Sequence, residues 1–235
     1  NYTSSNNKSR YGLCDTIRLF KNDGDYKYKG TVHNQPIYKQ PTKRILCTLE
    51  HYGYVSDDLE LMEKKFIRTS SIWKKELESD PENVYYRYQL AVSYSMHKDF
   101  EEALDEISLA YNKLNEYNKK SYKYIFNEYA NILMCNQRFK ECESLCLKEL
   151  KLIEEDEPYK IDLMFFLAKS QSLQKYYRNA IDNYYRYIEL LDKLEQGKLP
   201  IDLAIKVSTS SDREIAYNDI AIMEYQNRNY KEVIR

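Results

Sequence analysis

Glycine and proline are scarce, five of each in 235 residues, and the chain has one tryptophan and three histidines. So few helix breakers exclude a loop-rich or low-complexity chain and leave room for long helices. No stretch approaches the roughly eighteen consecutive apolar residues of a membrane-crossing helix. The first residues, NYTSSNNKSR, lack the apolar segment of a signal peptide, and there is no initiator methionine. Neither sign of charge is in excess. Lys and Arg total 36 against 37 Asp and Glu, without the clustered basic excess that displaces counterions from a nucleic acid, so no nucleic-acid partner is expected. Five cysteines, an odd number, do not make a secreted disulfide framework, and a reducing cytoplasm is expected. Cys142 and Cys146 share a helix face, with Cys135 one hairpin earlier. With no CxxC and no histidine nearby, they read as small buried helix positions rather than as a metal or redox cluster.

What is present is 43% hydrophobic residues and 25 tyrosines, enough for a packed core. Charges alternate in sign, as in EKK, KKELE and KDFEE, the pattern of solvated helix faces. The texture changes once. From Tyr11 to about Val55 the chain holds four of its five glycines among short β-prone runs, DTIRLF, YKYKGTVH and RILCTLEHYGY. The spacing predicts strands there, separated by a KNDGD turn and a NQPIYKQPTK loop. From Asp57 onward the apolar period is helical, beginning LELMEKKFIRTSSIWKKEL, with Asp57 or Asp58 as its cap. These signals divide the chain into residues 1–56, a linking helix over 57–82, and a helical array over 83–235.

The helical part repeats. A register from Val84 places Leu90-Ala91, Tyr94, Phe100, Ala103, Ile107 and Ala110 where a tetratricopeptide hairpin puts its large/small pair, aromatics and second-helix small residues. The register returns at Lys123 with Tyr129-Ala130, Phe139 and Cys142, and at Ile161 with Leu167-Ala168, Tyr177, Ala180 and Tyr184. A fourth copy starts at Glu214 with Ile220-Ala221 and Tyr230, and is cut short. Pro81 marks the end of a preceding unit whose second helix carries Trp73. The first two intervals exceed the usual 34 residues by roughly one helical turn. The last is longer and holds Gly197 and Pro200, which predicts a long loop or short extra helix. The fold class expected is therefore mainly α, a solenoid of stacked hairpins.

In such a stack the first helix of each hairpin lines a concave face through its second, fifth and ninth positions. These are Tyr85, Tyr88 and Val92, then Tyr124, Asn127 and Asn131, then Asp162, Phe165 and Lys169, then Ile215, Asn218 and Ile222. Aromatics beside amides and a lysine suit an extended peptide or protein segment, with Asn131 placed to grip its main chain. The same groove could serve a homodimer. His97, at a turn between two helices, reads as solvent-facing.

The first eighty residues resemble the end of a family 2 glycosyltransferase catalytic domain, from the bacterial group with tetratricopeptide repeats downstream. The residues that carry this are Ile17-Arg18-Leu19-Phe20, Tyr28-Lys29-Gly30-Thr31-Val32-His33-Asn34-Gln35, Leu49-Glu50-His51-Tyr52-Gly53-Tyr54 and the helix with Lys64, Lys65 and Arg68. They run on through Trp73-Lys74-Lys75-Glu76-Leu77 into Asp80-Pro81-Glu82-Asn83, which resembles the family's lead-in to its repeats. The family's usual Glu after the His is Asn34 here.

The resemblance implies a GT-A domain that moves a sugar from a nucleotide-sugar donor to a peptide, protein or cell-surface glycan. It also implies a divalent metal, Mg or Mn, held by a DxD motif. Asp23-Gly24-Asp25 has those letters but sits in a turn, so DxD and base are expected upstream of Asn1, with no catalytic residue and no bound metal in these 235 residues alone. His51 matches a late metal or diphosphate ligand, and His33 is a second metal candidate that could instead face acceptor or leaving group. Arg18, His33, Asn34 and Gln35 are the donor- or acceptor-side candidates, Arg18 through a bidentate contact to the diphosphate. Both ends look cut, so the expectation is an inactive piece of a longer enzyme. The alternative is a non-catalytic tetratricopeptide adaptor.

Overall fold

The computed structural model describes residues 59–154, 156–200 and 206–227, and nearer the N-terminus residues 13–14, 17, 19–29, 35–37, 41, 43, 45 and 47. Among these run eight helices: α1 (Leu59–Ser79), α2 (Val84–His97), α3 (Phe100–Asn112), α4 (Tyr124–Cys135), α5 (Phe139–Leu150), α6 (Lys160–Leu173), α7 (Tyr177–Glu195) and α8 (Arg213–Gln226). Four short strands accompany them: β1 (Leu13–Cys14), β2 (Lys27–Lys29), β3 (Gln35–Ile37) and β4 (Lys206–Val207).

The helices pair as α2 with α3, α4 with α5 and α6 with α7, and each pair packs on the next, with α1 against α2 and α7 against α8. Small side chains set the spacing. Ala91, Ala103, Ala130, Cys142, Ala168 and Ala180 are all fully buried, and at the next core position of the second helices Ile107, Cys146 and Tyr184 fill the space between hairpins. Cys142 and Cys146 are thus core residues, whereas Cys135, at the end of α4, is exposed.

Local chemistry fixes where the helices begin and stop. Asn83 caps α2, its side-chain oxygen accepting the Tyr86 N–H at 3.1 Å while its amide donates to Asp80. The three hairpin turns share one device without glycine. Lys98, Gln137 and Lys175 take φ of 73°, 57° and 67°. After each, the next N–H returns to a carbonyl of the last helical turn: Asp99 to Tyr94, Arg138 to Leu133, and Tyr176 to Gln171. The excess length between the first two hairpins is taken up by a 3-10 turn at Lys119–Tyr122.

The connection between α7 and α8 is the longest. It turns at Gly197 (φ 67°) and returns through β4, which pairs antiparallel with β1, Leu13 opposite Val207 and Cys14 opposite Lys206.

The N-terminal strands differ from the sequence reading. β1 precedes the DTIRLF run. Ile17, Leu19 and Phe20 are not in a strand, and Leu19 is 78% exposed. β3 lies in the NQPIYKQPTK stretch read as a loop and pairs with β2, Tyr28 opposite Pro36. A pairing partner, not the β-propensity of the run, decides which residues become strand. Of the third expected strand only Ile45 and Cys47 are described, and neither is strand; the Cys47 N–H donates to the Ile45 carbonyl. Two small ladders do not show the edge of a GT-A sheet. Asp57 and Asp58 lie outside the described residues.

Candidate functional site

The first helices α2, α4, α6 and α8 lie side by side, and the fifth position of one repeat meets the second position of the next. The Tyr88 and Tyr124 rings lie 4.6 Å apart, and Asn127 donates to Asp162 at 3.3 Å. Tyr85 stands beside them, its ring perpendicular to that of Trp73 of α1. Burial pushes the Tyr88 and Tyr124 phenols far above their ordinary value, so they act as neutral rings with a hydroxyl handle. This aromatic end of the stripe is half-buried.

The middle of the stripe is acidic. Glu128, one residue past Asn127, accepts hydrogen bonds from Ser95 and Asn131, the latter at 3.4 Å. Desolvation raises its carboxyl above the usual range, against those bonds and the charge of Lys206. Asn131 itself is half-buried.

Three of the sequence candidates are not on an open surface. Asn127 is 7% exposed, Asp162 1% and Phe165 6%. Asp162 accepts the backbone N–H and the hydroxyl of both Ser208 and Thr209, at 2.7–3.0 Å. The α7–α8 connection therefore lies over the end of the groove at α6. Phe165 packs among Phe166, Tyr184 and Tyr187 and is a core residue. Lys169 reaches across to Asp219 of α8 at 2.7 Å, and the Tyr184 phenol donates to the same carboxylate at 2.6 Å. Val92 and Ile215 are half-buried, while Asn218 and Ile222 are exposed.

His97 is not solvent-facing. Its Nδ1 lies 2.8 Å from Asp99 and its Nε2 2.8 Å from Glu63 of α1. The two carboxylates raise its pKa above the ordinary value. Arg18, His33, Asn34 and His51 lie outside the described residues, and of Gln35 only the backbone, in β3, is described. Asp23-Gly24-Asp25 forms an exposed bend, with Gly24 at φ 81°, the Asp25 N–H donating to the Asp23 side chain and the Phe20 and Tyr26 rings stacked beside it. Among the described residues no three His, Cys, Asp or Glu side chains gather as a metal cluster, and no helix is long and apolar enough to cross a membrane.

Two solved structures share this architecture: the nearly identical TPR-like repeats of a Podosopora anserina protein described as kinesin light chain, and a single-substitution variant of it. The variant superposes with a TM-score of 0.53 at 14% identity, covering 74% of this chain and 86% of that one. The other gives 0.51 at 13% identity, covering 74% and 87%. The helical part has a TPR-like repeat fold. At such identity the likeness concerns fold alone. No protein-family model and no curated protein matches the chain. In TPR-like terms α2, α4, α6 and α8 are the first helices, and Tyr85, Tyr88, Tyr124 and Asn131 are half-buried positions on α2 and α4.

Proposed function

We propose that the repeat array is a protein-binding platform whose concave face takes an extended segment of a partner. The observation that carries it is the half-buried stripe of Tyr85, Tyr88, Tyr124 and Asn131 on the first helices of a TPR-like stack. The rings offer apolar cover and the amide offers paired donor and acceptor to a main chain.

A second reading concerns the whole protein. The order of the RLF, HNQ and HYGY blocks, followed by the Asp80-Pro81-Glu82-Asn83 lead-in that here caps α2, supports a family 2 glycosyltransferase whose donor site and DxD motif lie upstream. Nucleotide sugar, a divalent Mg or Mn, and a peptide or glycan acceptor would then be its ligands, in the cytoplasm, with the array recruiting acceptor. Dimerisation through the groove is the competing use of that face.

The decisive experiment is acceptor kinetics on the full-length protein carrying Asn131→Ala with Lys169→Ala. Acceptor KM should rise while donor hydrolysis stays unchanged. Unchanged acceptor kinetics in a folded variant would reduce the array to a structural or dimerising appendage. Residues 1–235 alone should transfer no sugar, and measurable turnover would show the active site to lie within them. In the full-length protein His51→Ala should weaken metal-dependent donor binding more than His33→Ala. The reverse order would exchange their roles.

A further inference from the structure

Helix α1 lies on α2 through one face, Glu63, Phe66, Ser70 and Trp73, spaced three and four residues apart. The grip along that face is uneven. In the C-terminal half Ser70 and Trp73 are 4% and 2% exposed, and the indole packs against Tyr85 and Tyr86 of α2. In the N-terminal half Leu59 is 80% and Ile67 54% exposed, and Phe66 is half-buried against Tyr94 and His97. Apolar burial holds one end of the helix, and a histidine holds the other.

The His97 ring bridges two carboxylates on different elements. Glu63 meets Nε2 from α1, and Asp99 meets Nδ1 from the α2–α3 turn, each at 2.8 Å. These are the two charges that act on the ring, and both raise its pKa. Of the lysines on the same helix, Lys64 pairs with Glu60, and Lys74 lies over the Tyr94 ring, 5.4 Å from its centroid. An imidazolium serves both carboxylates because both nitrogens donate. A neutral ring has one donor and sets a bare nitrogen against the other carboxylate. Asp99 is two residues away and stays within reach whatever α1 does. Glu63 is 34 residues away and is held by the seating of α1. The neutral ring therefore keeps Asp99 and yields Glu63.

We propose that the N-terminal half of α1, residues 59–67, is a pH-sensitive strap, docked while His97 is protonated and released when it is neutral, with the Trp73 half seated throughout. Because the folded-state pKa is raised, the tie is complete below 6.5 and is lost as pH rises through the raised value. Release uncovers the facing rings of Phe66 and Tyr94, whose centroids are 5.9 Å apart when docked. The proposal is separate from the platform reading, since Glu63, Phe66 and His97 lie off the groove stripe.

The test is hydrogen exchange of the 235-residue chain at about pH 6 and about pH 8, either side of the histidine range. The protection of amides 63–68 is read against that of amides 73–78 in the same helix, which cancels the intrinsic pH dependence of exchange. In the wild type this ratio should fall about tenfold between the two conditions, the loss expected for one hydrogen bond between charged groups. His97→Phe keeps a ring on Phe66 and removes the tie, so it should give the low ratio at both pH values. Glu63→Gln, whose amide can bond either form of the ring, should give one ratio at both. A wild-type ratio that does not change with pH would overturn the proposal and leave ring stacking as the hold. So would an equal loss of protection in both halves, which would mean that α1 leaves as a whole. A pH-dependent ratio that survives in His97→Phe would assign the effect to another group and equally refute the strap.

Discussion

The His97 imidazole lies flat on the Phe66 ring, centroids 3.8 Å apart and planes within 7° of parallel, with Glu63 and Asp99 each 2.8 Å from one ring nitrogen. Both nitrogens can donate only when the ring is protonated. The arrangement ties the α2–α3 turn to α1, so one titrating group contributes to the docking of α1, beside the buried Trp73 and its contacts with Tyr85 and Tyr86. The folded-state pKa is raised above 6.5, so the tie contributes fully below that unfolded value and is lost as pH rises through the raised folded value. The melting temperature of wild type should exceed that of His97→Gln at pH 6 and converge on it in mildly alkaline buffer. A constant difference across that range would mean that ring stacking alone holds the joint.

The left-handed turn residues give a second expectation. Lys98→Gly, Gln137→Gly and Lys175→Gly should each stabilise the fold by about 0.5–1 kcal/mol, what remains of a left-handed penalty of about 1–2 kcal/mol after glycine's larger chain entropy. Urea midpoints read this directly. A lower midpoint in any of the three would show that the side chain itself contributes at that turn.

Between the first and second hairpins Glu149, 1% exposed, accepts from Lys119 at 3.0 Å and from the Tyr111 phenol at 2.6 Å. Lys119→Met should cost about 3 kcal/mol because it strands a buried carboxylate. Lys119→Met with Glu149→Met should recover most of that loss. A double variant as unstable as the single would place the cost in packing instead of charge.

Core and surface positions of one helix should separate cleanly. Ile107, fully buried in α3, should cost about 2–5 kcal/mol when cut to alanine. Leu109, two residues on and 44% exposed, should change stability by no more than about 0.5 kcal/mol. Similar losses at both, in denaturant titrations, would mean that another surface covers the outer face of α3.

The stacked hairpins were legible because their packing needs a small residue at a fixed place, and Ala91, Ala130 and Ala168 stand there fully buried. The turns were legible only as interruptions of the apolar period, since their left-handed residues are two lysines and a glutamine where a sequence reader looks for glycine. The burial of Asn127 and Asp162 was hidden, because what covers Asp162 comes from 46 and 47 residues away and no helical period reports a loop folding back. Tyr88 and Tyr124 needed no such partner, and position alone placed them together. His97 was misread for the same reason as Asp162: Glu63 lies 34 residues earlier, on a helix outside the hairpin.

The three joints between hairpins are chemically unlike. The first is closed by Tyr88 on Tyr124 and by Glu149 with Lys119, the second by Asn127 with Asp162 and Gln171 with Glu143, the third by Lys169 and Tyr184 on Asp219. Units that look interchangeable in outline therefore carry addresses. Exchanging the second and third hairpins would bury Glu149 without its lysine and Asp162 without its four donors, each an uncompensated charge in the interior. The order of the array is written into its seams, and a shuffled copy would have the right helices and no way to close.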